Sequence, residues 1–518
     1  MFADLATIQR IQAAAQINLE GEPMKTTLLL FDSLPLKSLS CYGGSHPTPN
    51  FDRLAAQSLK FNRHFVGSLP CMPARRDLQT GRLNFLHRSW GPLEPFDISA
   101  TGLMRKAGIY SHLVTDHYHY FENGGATYHT AFDSWDFIRG QEADPWAVAI
   151  SPPHDLFAET YHEEQVETSL SGYRLQAAMN RLHVQKASEF PTVKTFDAGL
   201  SFLTSHAGND NWFLQIEVFD PHEPFYSPKE YRDRFPKVGR KIRDWPRYRR
   251  DEPGDDTTDL IMSQAALVSM CDDQLGRILD VFDAENLWKD TALIVTTDHG
   301  FMLGEHGWWG KNRMPFYSEI SHIPLFIYAP GQPVGNTDSL SQNIDVMATL
   351  LDLYGIKAPD SVQGRSLLHE AEGREFALFG IFGGALNATD GHYSYFRYPA
   401  DMEELPLFEY TLMPQHSGSP FSNAELSKAK LHHGFDFTLG MPVLQIPAVK
   451  EAKRPPMQGG GFGDTETVLY DLLDDPEQIH PFRDEKIESR FFEALTQAMI
   501  AHDAPPELYD RFALEVPV

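Results

Sequence analysis

The sequence predicts an α/β fold in which helices flank a mostly parallel sheet. Five short apolar runs are predicted to form buried strands, at residues 26–31, 109–116, 211–220, 291–298 and 323–330. Helical patterns lie between them, at residues 48–61, 260–287 and 343–355. Continuous apolar runs are typical of strands that are covered on both faces. Their alternation with helices indicates a parallel sheet.

The sequence pattern changes near residue 370. Beyond it, residues 375–383, 392–399 and 467–473 are predicted strands of a second, smaller sheet, and residues 485–503 are a predicted helix. We therefore predict an α/β domain at 24–370 and a C-terminal α+β subdomain at 371–518. Residues 1–23 are interpreted as an N-terminal extension, because the first convincing strand begins directly after Met24 and Lys25.

The composition is typical of a globular protein. The chain has 518 residues, of which 42% are hydrophobic and 22% charged, enough for a sizeable core. No apolar run approaches the length of a membrane-spanning helix. Residues 1–23 lack the basic start and apolar core of a secretory signal. Only three cysteines occur, too few for a disulfide framework. We expect a cytoplasmic protein with no membrane partner.

The chain is strongly acidic, with a formal net charge of −27. Such a surface repels nucleic acid, so we expect no nucleic-acid partner. One basic stretch, residues 229–250, also contains Glu230, Asp233 and Asp244. We interpret it as a surface loop or as a contact between subunits of a homo-oligomer.

Aspartates end four of the predicted strands, at Asp32, Asp116, Asp220 and Asp298. In open α/β sheets, ligands bind beyond the carboxyl ends of the strands. An aspartate at such a position can also simply cap a turn or a helix. Several strand-end aspartates with neighbouring histidines favour a functional site over simple capping.

Residues 71–82, CMPARRDLQTGR, carry the most specific motif of the chain. Pro73 suits the first turn of a helix, so Cys71 is predicted at a helix N-terminus. The helix dipole and free N–H groups there favour an anion, and Arg75 adds positive charge. The segment resembles the sulfatase signature C-x-P-x-R followed by L-x-T-G-R. It matches that signature at Cys71, Pro73, Arg75, Leu78, Thr80, Gly81 and Arg82.

Residues 296–311, TTDHGFMLGEHGWWGK, are similar to the sulfatase segment that carries two metal ligands and a lysine. Asp298 and His299 at a strand end are suitable metal ligands by chemistry alone. Lys311 is predicted to hold a sulfate or phosphate oxygen, or the leaving-group oxygen. His306 is interpreted as a packing residue rather than a ligand.

Two departures from the sulfatase pattern affect the metal. Many sulfatases have paired aspartates after the first strand, where this chain has Asp32 and Ser33, so Ser33 is a weaker candidate ligand. Many calcium sulfatases have Asn where this chain has His299, whereas phosphonate monoester hydrolases resemble it in having Asp-His. The resemblance implies one divalent ion. Calcium is the metal of many sulfatases, but an imidazole ligand favours manganese or another transition metal more than a site of oxygen ligands alone does.

Two further segments resemble sulfatase substrate-contact motifs. His222, in FDPHEPF at 219–225, is expected to contact the substrate or leaving group. TDHYHYF at 115–121 occupies the place of the family's Lys-x-His, with His117 replacing the lysine and His119 matching the histidine. One of these two is expected to stabilise the nucleophile or protonate the leaving group, and His119 is favoured.

The resemblance covers roughly residues 26–500 and implies the alkaline-phosphatase-like fold. It implies that a maturation enzyme oxidises Cys71 to formylglycine. It also implies that Asp32, Asp298, His299 and formylglycine 71 hold the metal, with Arg75, Lys311 and the histidines neutralising the substrate's charge. Residues 469–482, LYDLLDDPEQIHPF, resemble the family's C-terminal strand and turn.

The predicted reaction is hydrolysis of a small-molecule sulfate ester. The alternative is hydrolysis of a phosphonate monoester or phosphodiester on the same site. A third hypothesis is a catalytically silent binding protein whose Cys71 stays a thiol, against which the intact motif argues. We expect loops such as 122–146 or 229–250 to recognise the organic part of the substrate.

Overall fold

The computed structural model describes residues 24–169, 172–235, 241–251, 256–368, 373–402, 406–448 and 463–514. The predicted N-terminal extension, 1–23, lies outside these ranges. The centre of the fold is an eight-stranded sheet. From one edge to the other, its strands are β12 (Gly335–Thr337), β2 (Leu59–Phe61), β11 (Leu325–Tyr328), β8 (Thr291–Thr297), β1 (Lys25–Phe31), β7 (Trp212–Val218), β5 (Tyr110–Thr115) and β6 (Ser134–Phe137).

The central sheet is mainly parallel, as predicted. Strand β1 runs parallel to both β7 and β8, and β5 runs parallel to β6 and β7. Only β11 runs against its neighbours in this sheet. The five predicted central strands correspond to β1, β5, β7, β8 and β11.

Helices cover both faces of this sheet. Those of the predicted α/β domain are α1 (Pro49–Ala55), α2 (Cys71–Thr80), α3 (Ala100–Lys106), α4 (His154–Thr160), α5 (Glu163–Ser169), α6 (Gly172–Arg181), α7 (Pro191–His206), α8 (Lys229–Arg232), α9 (Thr258–Ala284), α10 (Ser318–Ser321) and α11 (Ile344–Leu353). In β1, Leu28 and Leu30 face one apolar core, while Leu29 and Phe31 face the other. This alternation explains why β1 is apolar along its whole length.

One predicted helix ends earlier in the structure than its sequence pattern indicated. The pattern over 48–61 predicted a single helix, but α1 ends at Ala55 and residues 59–61 form strand β2. Strand β2 pairs with both β11 and β12, so tertiary hydrogen bonds override the local helical spacing. The predicted helix over 343–355 is confirmed as α11, after which Gly355 has a φ of 63°.

The C-terminal part builds a second sheet in the order β20 (Val468–Asp471), β16 (Tyr393–Phe396), β15 (Ala385–Thr389), β14 (Ala377–Ile381) and β4 (Ser68–Leu69). The predicted strands over 375–383, 392–399 and 467–473 correspond to β14, β16 and β20. Strand β4 comes from the α/β region and directly precedes α2, so the second sheet supports the start of that helix. Helix α13 (Glu485–Ala501) packs against it, with α12 (Asn423–Leu426) and α14 (Pro506–Arg511) in the same part of the chain.

Smaller sheets complete the fold. A three-stranded sheet has the order β17 (Phe408–Thr411), β19 (Val443–Pro447) and β18 (Lys430–His432). Two-stranded ladders join β3 (His64–Phe65) to β13 (Ser341–Gln342), and β9 (Met302–Leu303) to β10 (Trp309–Gly310). Among the described segments, no helix has both the length and the apolar character needed to cross a membrane.

Candidate active site

Strand register brings the predicted metal ligands to one edge of the central sheet. Phe31 of β1 lies beside Thr297 of β8, so Asp32 and Asp298 follow the two strands at the same level. Helix α2 begins at Cys71 and is buried over its whole length. The carboxyl ends of the strands and the N-terminus of α2 therefore meet in one place, as the sequence predicts.

Four side chains converge there with the geometry of a metal site. One ligand atom from each of Asp32, Cys71, Asp298 and His299 lies within 4.8 Å of all the others, and all four residues are buried. Cys71 Sγ lies 3.3 Å from Nε2 of His299. His299 Nδ1 hydrogen-bonds the carbonyl oxygen of Gly300 at 2.9 Å, which leaves Nε2 free to face the cluster. Two carboxylates and one imidazole suit a divalent ion such as manganese or calcium.

Arg75 lies beneath this cluster and is bonded to three carboxylates. Its Nη2 donates to Asp32 at 2.8 Å, its Nη1 to Asp298 at 2.7 Å, and its Nε to Glu217 at 2.6 Å. Burial would lower the pKa of Arg75, but the three carboxylates raise it well above its ordinary value. The guanidinium is therefore a fixed positive charge that holds the carboxylates in position.

Asp32 connects the four converging residues to a histidine and, through Ser33, to a lysine. Its Oδ2 lies 3.0 Å from Nε2 of His117, and its Oδ1 accepts a hydrogen bond of 2.7 Å from the Ser33 hydroxyl. Lys311 Nζ donates to that hydroxyl at 3.0 Å. Burial raises the pKa of Asp32, but Arg75 and the neighbouring histidines and lysine lower it well below its ordinary value. Asp32 is therefore ionised, and Ser33 links it to Lys311.

The electrostatics of Cys71 differ from those of a thiolate nucleophile. Burial and the carboxylate of Asp32 raise the pKa of its thiol well above the ordinary value. Reactive cysteine thiolates instead occur where positive charge lowers the pKa. The surroundings of unmodified Cys71 therefore favour the protonated thiol over the thiolate.

The three predicted histidines all lie at the site but have different partners. His117 is fully buried and bonded to Asp32. His119 is partly exposed, and its Nδ1 lies 2.6 Å from Oε2 of Glu122. His222 Nδ1 hydrogen-bonds the carbonyl oxygen of Glu223, and its Nε2 lies 4.0 Å from Oδ1 of Asp32. Of the three, His119 combines an orienting carboxylate with a ring that solvent reaches.

Sequence reasoning missed the residues that support Arg75. Glu217 is fully buried on β7 and accepts hydrogen bonds from the Tyr120 hydroxyl at 2.8 Å and from Gln215 Nε2 at 2.7 Å. Gln215 and Glu217 are two residues apart and therefore point to the same face of the strand. Two polar residues on one face of an otherwise apolar strand were a usable signal, because buried charges are nearly always paired.

Two of the strand-end aspartates lie outside the metal cluster. Asp116 and Asp220 both bond the Thr192 hydroxyl, at 3.1 Å and 2.6 Å, and Asp220 also accepts from Gln141 at 2.8 Å. Burial raises the pKa of Asp220 to about 7 and that of Asp116 well above its ordinary value. Asp116 and Asp220 therefore form a buried pair that the Thr192 hydroxyl bridges.

The remaining candidates have packing roles or unexpected partners. His306 stacks on the Tyr317 ring with 3.6 Å between ring centroids, which agrees with its predicted packing role. The basic stretch 229–250 contributes Tyr248, whose hydroxyl hydrogen-bonds Glu223 beside the site. Glu142, in the loop after β6, was not singled out by its sequence pattern, yet the charges of His119 and Lys311 act on its carboxyl.

The comparisons with known proteins match the chain to one family. The sequence profile of the sulfatase family matches residues 26–356. The chain is 27% identical over 383 residues to the uncharacterized sulfatase YidJ of Escherichia coli K12, covering 68% of this chain and 72% of that protein. It is 23% identical over 517 residues to the N-acetylglucosamine-6-O-sulfatase of Bacteroides thetaiotaomicron, covering 82% and 88%.

Solved structures show the same fold. The phosphonate monoester hydrolase of Agrobacterium radiobacter superposes with a TM-score of 0.59 at 19% identity, over 93% of this chain and 96% of that chain. BT4656, solved in complex with its substrate D-glucosamine-2-N,6-O-disulfate, superposes with a TM-score of 0.62 at 15% identity, over 95% and 98%. The predicted alkaline-phosphatase-like fold is confirmed.

Proposed function

The chain belongs to the sulfatase family of sulfuric ester hydrolases, and from this premise we propose that it hydrolyses sulfate esters through a formylglycine derived from Cys71. The observation that supports this most is the convergence of Cys71 with Asp32, Asp298 and His299 within 4.8 Å. A nucleophile precursor among metal ligands suits an oxygen nucleophile better than a free thiol. The raised pKa of the Cys71 thiol points the same way.

The cofactors of this proposal are one divalent ion, calcium or manganese, and the formylglycine made by a maturation enzyme. Asp32, Asp298, His299 and residue 71 would hold the ion, which supplies Lewis-acid stabilisation of charge on the ester. The hydrated aldehyde supplies an oxygen nucleophile and a second hydroxyl that later allows release of the sulfate. The Sγ atom of Cys71 marks where those oxygens would lie.

The protein's own residues provide charge and proton transfer. Lys311, which is buried and bonded to Ser33, would neutralise a sulfuryl oxygen. Arg75 would act indirectly, by positioning Asp32 and Asp298. His119, oriented by Glu122, would donate the proton that the departing alcohol oxygen needs as its bond to sulfur breaks. His222, whose Nε2 lies 4.0 Å from Oδ1 of Asp32, would contact the same oxygen, and His117 would hold Asp32.

His299 favours a second candidate function, hydrolysis of phosphonate monoesters or phosphodiesters. Phosphate diesters and sulfate monoesters both present a tetrahedral group with one negative charge, so the same cations can bind either. An imidazole among the ligands also suits a transition metal. The fold similarity to a phosphonate monoester hydrolase is compatible with this alternative.

Two measurements on one preparation test the proposal. The protein is co-expressed with a formylglycine-generating enzyme, and the peptide containing residue 71 is analysed by mass spectrometry. We expect formylglycine; a peptide that contains only the thiol would contradict the mechanism and favour a silent binding protein.

The same preparation is loaded with manganese and assayed on an aryl sulfate and on the matching aryl phosphonate monoester. We expect the higher kcat/KM for the sulfate. A higher value for the phosphonate would replace the first function by the second.

A further inference from the structure

Two glutamates beside the site remain without a role in sulfate binding. Glu223 follows His222, and Glu142 lies in the loop after β6. The charge of Lys311 acts on the carboxyl groups of both, and the charge of Glu223 acts on that of Glu142. Both carboxylates therefore lie close to the residues that would bind the sulfate group. Carboxylates repel an anion such as sulfate, so the presence of these two glutamates needs another explanation.

Each of these glutamates has one carboxylate oxygen that accepts no hydrogen bond. Glu223 is 4% exposed, and its Oε2 is buried without a hydrogen-bond partner. The nearest imidazole nitrogen, Nδ1 of His222, lies 3.1 Å from Oε2, but its N–H is used by the Glu223 carbonyl oxygen. Oε2 of Glu142 is likewise buried and unpartnered. Unsatisfied buried carboxylate oxygens are costly, which indicates that a ligand donates to them.

The other carboxylate contacts hold these oxygens in place. The Tyr248 hydroxyl hydrogen-bonds Oε1 of Glu223, and the Tyr118 hydroxyl lies close enough to the Glu142 carboxyl to lower its pKa. The carbonyl oxygen of Glu142 accepts a hydrogen bond of 3.0 Å from Asn180 Nδ2. Both glutamates are therefore fixed in orientation, each with one oxygen free for a ligand.

A second metal ion does not fit this pair. Within the described ranges, the single set of three or more ligand atoms that lie within 4.8 Å of one another is the one formed by Asp32, Cys71, Asp298 and His299. Glu142 and Glu223 do not converge with a histidine in that way. The alternative is a larger group that donates hydrogen bonds in several directions.

Charge balance favours a cation as that group. A bound divalent ion, Arg75 and Lys311 together carry four positive charges. The carboxylates of Asp32, Asp298 and Glu217 carry three negative charges. The site therefore has one net positive charge, which a sulfate monoester neutralises. Glu142 and Glu223 lie outside this balance, and burial raises the pKa of both, so each carries an uncompensated negative charge when it is ionised. Burial raises the pKa of Glu142 to about 7, and the Glu223 carboxylate adds to that rise, as expected where a neighbouring cation is missing.

We propose that Glu142 and Glu223, with the hydroxyls of Tyr118 and Tyr248, form a subsite for a protonated amine carried by the alcohol part of the sulfate ester. An ammonium group donates three hydrogen bonds, enough to reach both free oxygens. This inference rests on the proposed function, because it identifies the class of sulfate ester bound there. Glu142 and Tyr248 lie in the two loops that the sequence analysis associated with the organic part of the substrate.

Binding of two nearly isosteric esters tests the subsite without turnover. Full-length Cys71→Ala protein loaded with manganese is titrated by calorimetry with 2-aminoethyl sulfate and with propyl sulfate, in which a methyl group replaces the ammonium. We expect the ammonium ester to bind at least about tenfold more tightly. Glu142→Gln and Glu223→Gln should each reduce that ratio several-fold, and the exposed control Glu230→Gln should preserve it.

Equal affinities for the two esters, or a ratio that survives both substitutions, would overturn the subsite. Equal losses of affinity for both esters in Glu142→Gln would also overturn it, since they would indicate a general structural role. Failure of the wild-type enzyme to hydrolyse any aryl sulfate would contradict the proposed function instead. The binding ratio would still decide the subsite in that case.

Discussion

Nε of Arg75 and Oε1 of Glu217 lie 2.6 Å apart in the fully buried interior below the metal cluster. Glu217 is the one carboxylate bonded to Arg75 that does not belong to the converging metal ligands. Glu217 therefore holds the Arg75 guanidinium through its Nε atom, while Nη1 and Nη2 of Arg75 donate to Asp298 and Asp32. The position of the candidate metal ligands is therefore expected to depend on Glu217, which does not belong to the converging set.

Glu217→Gln tests this dependence. Removal of one partner from a buried ion pair costs about 3–5 kcal/mol, because it leaves the other charge uncompensated. We expect a large loss in the free energy of unfolding and a weaker manganese affinity, measured by urea denaturation and calorimetry.

Tyr120→Phe provides the matched control, because it removes a hydrogen bond to Glu217 but no charge. Its expected cost is about 1 kcal/mol. Equal effects of the two substitutions would contradict a charge-positioning role for Glu217.

As a proposed metal ligand, His299 is expected to set the preference for the metal. Imidazole favours transition metals, whereas calcium prefers oxygen ligands. In chelator-treated protein, His299→Asn should weaken manganese binding at least about tenfold relative to calcium binding. His306→Asn, in the same segment but stacked on Tyr317, is the control and should leave the ratio of the two dissociation constants unchanged. An unchanged ratio in His299→Asn would remove His299 from the ligand set.

The convergence of Asp32, Cys71, Asp298 and His299 was predictable because these residues follow sequence features with a fixed structural meaning. Asp32 and Asp298 end apolar strands, and the carboxyl ends of parallel strands meet at one edge. Glu217 was not predictable as a partner of Arg75, because the two lie 142 residues apart and no local pattern specifies which strand face meets which helix. The end of α1 was predicted wrongly for a related reason, since the apolar spacing of residues 59–61 suits either a helix or a strand.

The pair of Asp116 and Asp220 predicts a pH dependence of stability. Burial raises the pKa of Asp220 to about 7, above an unfolded value of about 4. Between these values the native state binds more protons than the unfolded chain, so the free energy of unfolding falls as pH rises. Asp116→Asn removes one of the two titrating groups, whose own pKa is also raised by burial. We therefore expect a shallower fall between about pH 4 and pH 7, measured by urea denaturation at each pH.

An exposed aspartate is the control for this experiment. Asp210→Asn should leave the pH dependence as it is in the wild-type protein. An unchanged slope in Asp116→Asn would show that the buried pair does not hold an extra proton in the native state.

Cys71 and the other two cysteines should differ sharply under substitution. Cys71→Ala removes the precursor of the nucleophile and is expected to lower kcat by about 10³-fold or more, with little change in the melting temperature. Cys41→Ser, at a half-buried position outside the cluster, is the control and should retain turnover of an aryl sulfate. Substantial activity in Cys71→Ala would contradict covalent catalysis at this position.

His119 should matter most for substrates whose leaving group needs a proton. Its Nδ1 is held by Glu122, so its Nε2 is the atom available to an alcohol oxygen that gains charge as the ester bond breaks. Nitrophenolate leaves as a stable anion, whereas an alkoxide does not. His119→Gln should therefore lower kcat/KM for an alkyl sulfate by about 10²–10⁴-fold and that for 4-nitrophenyl sulfate much less. His117→Gln is the comparison, because His117 supports Asp32 and its loss should affect both substrates alike. An equal loss of kcat/KM for the two substrates in His119→Gln would mean that another residue protonates the leaving group. His222 would be the next residue to substitute, because its Nε2 lies 4.0 Å from Oδ1 of Asp32.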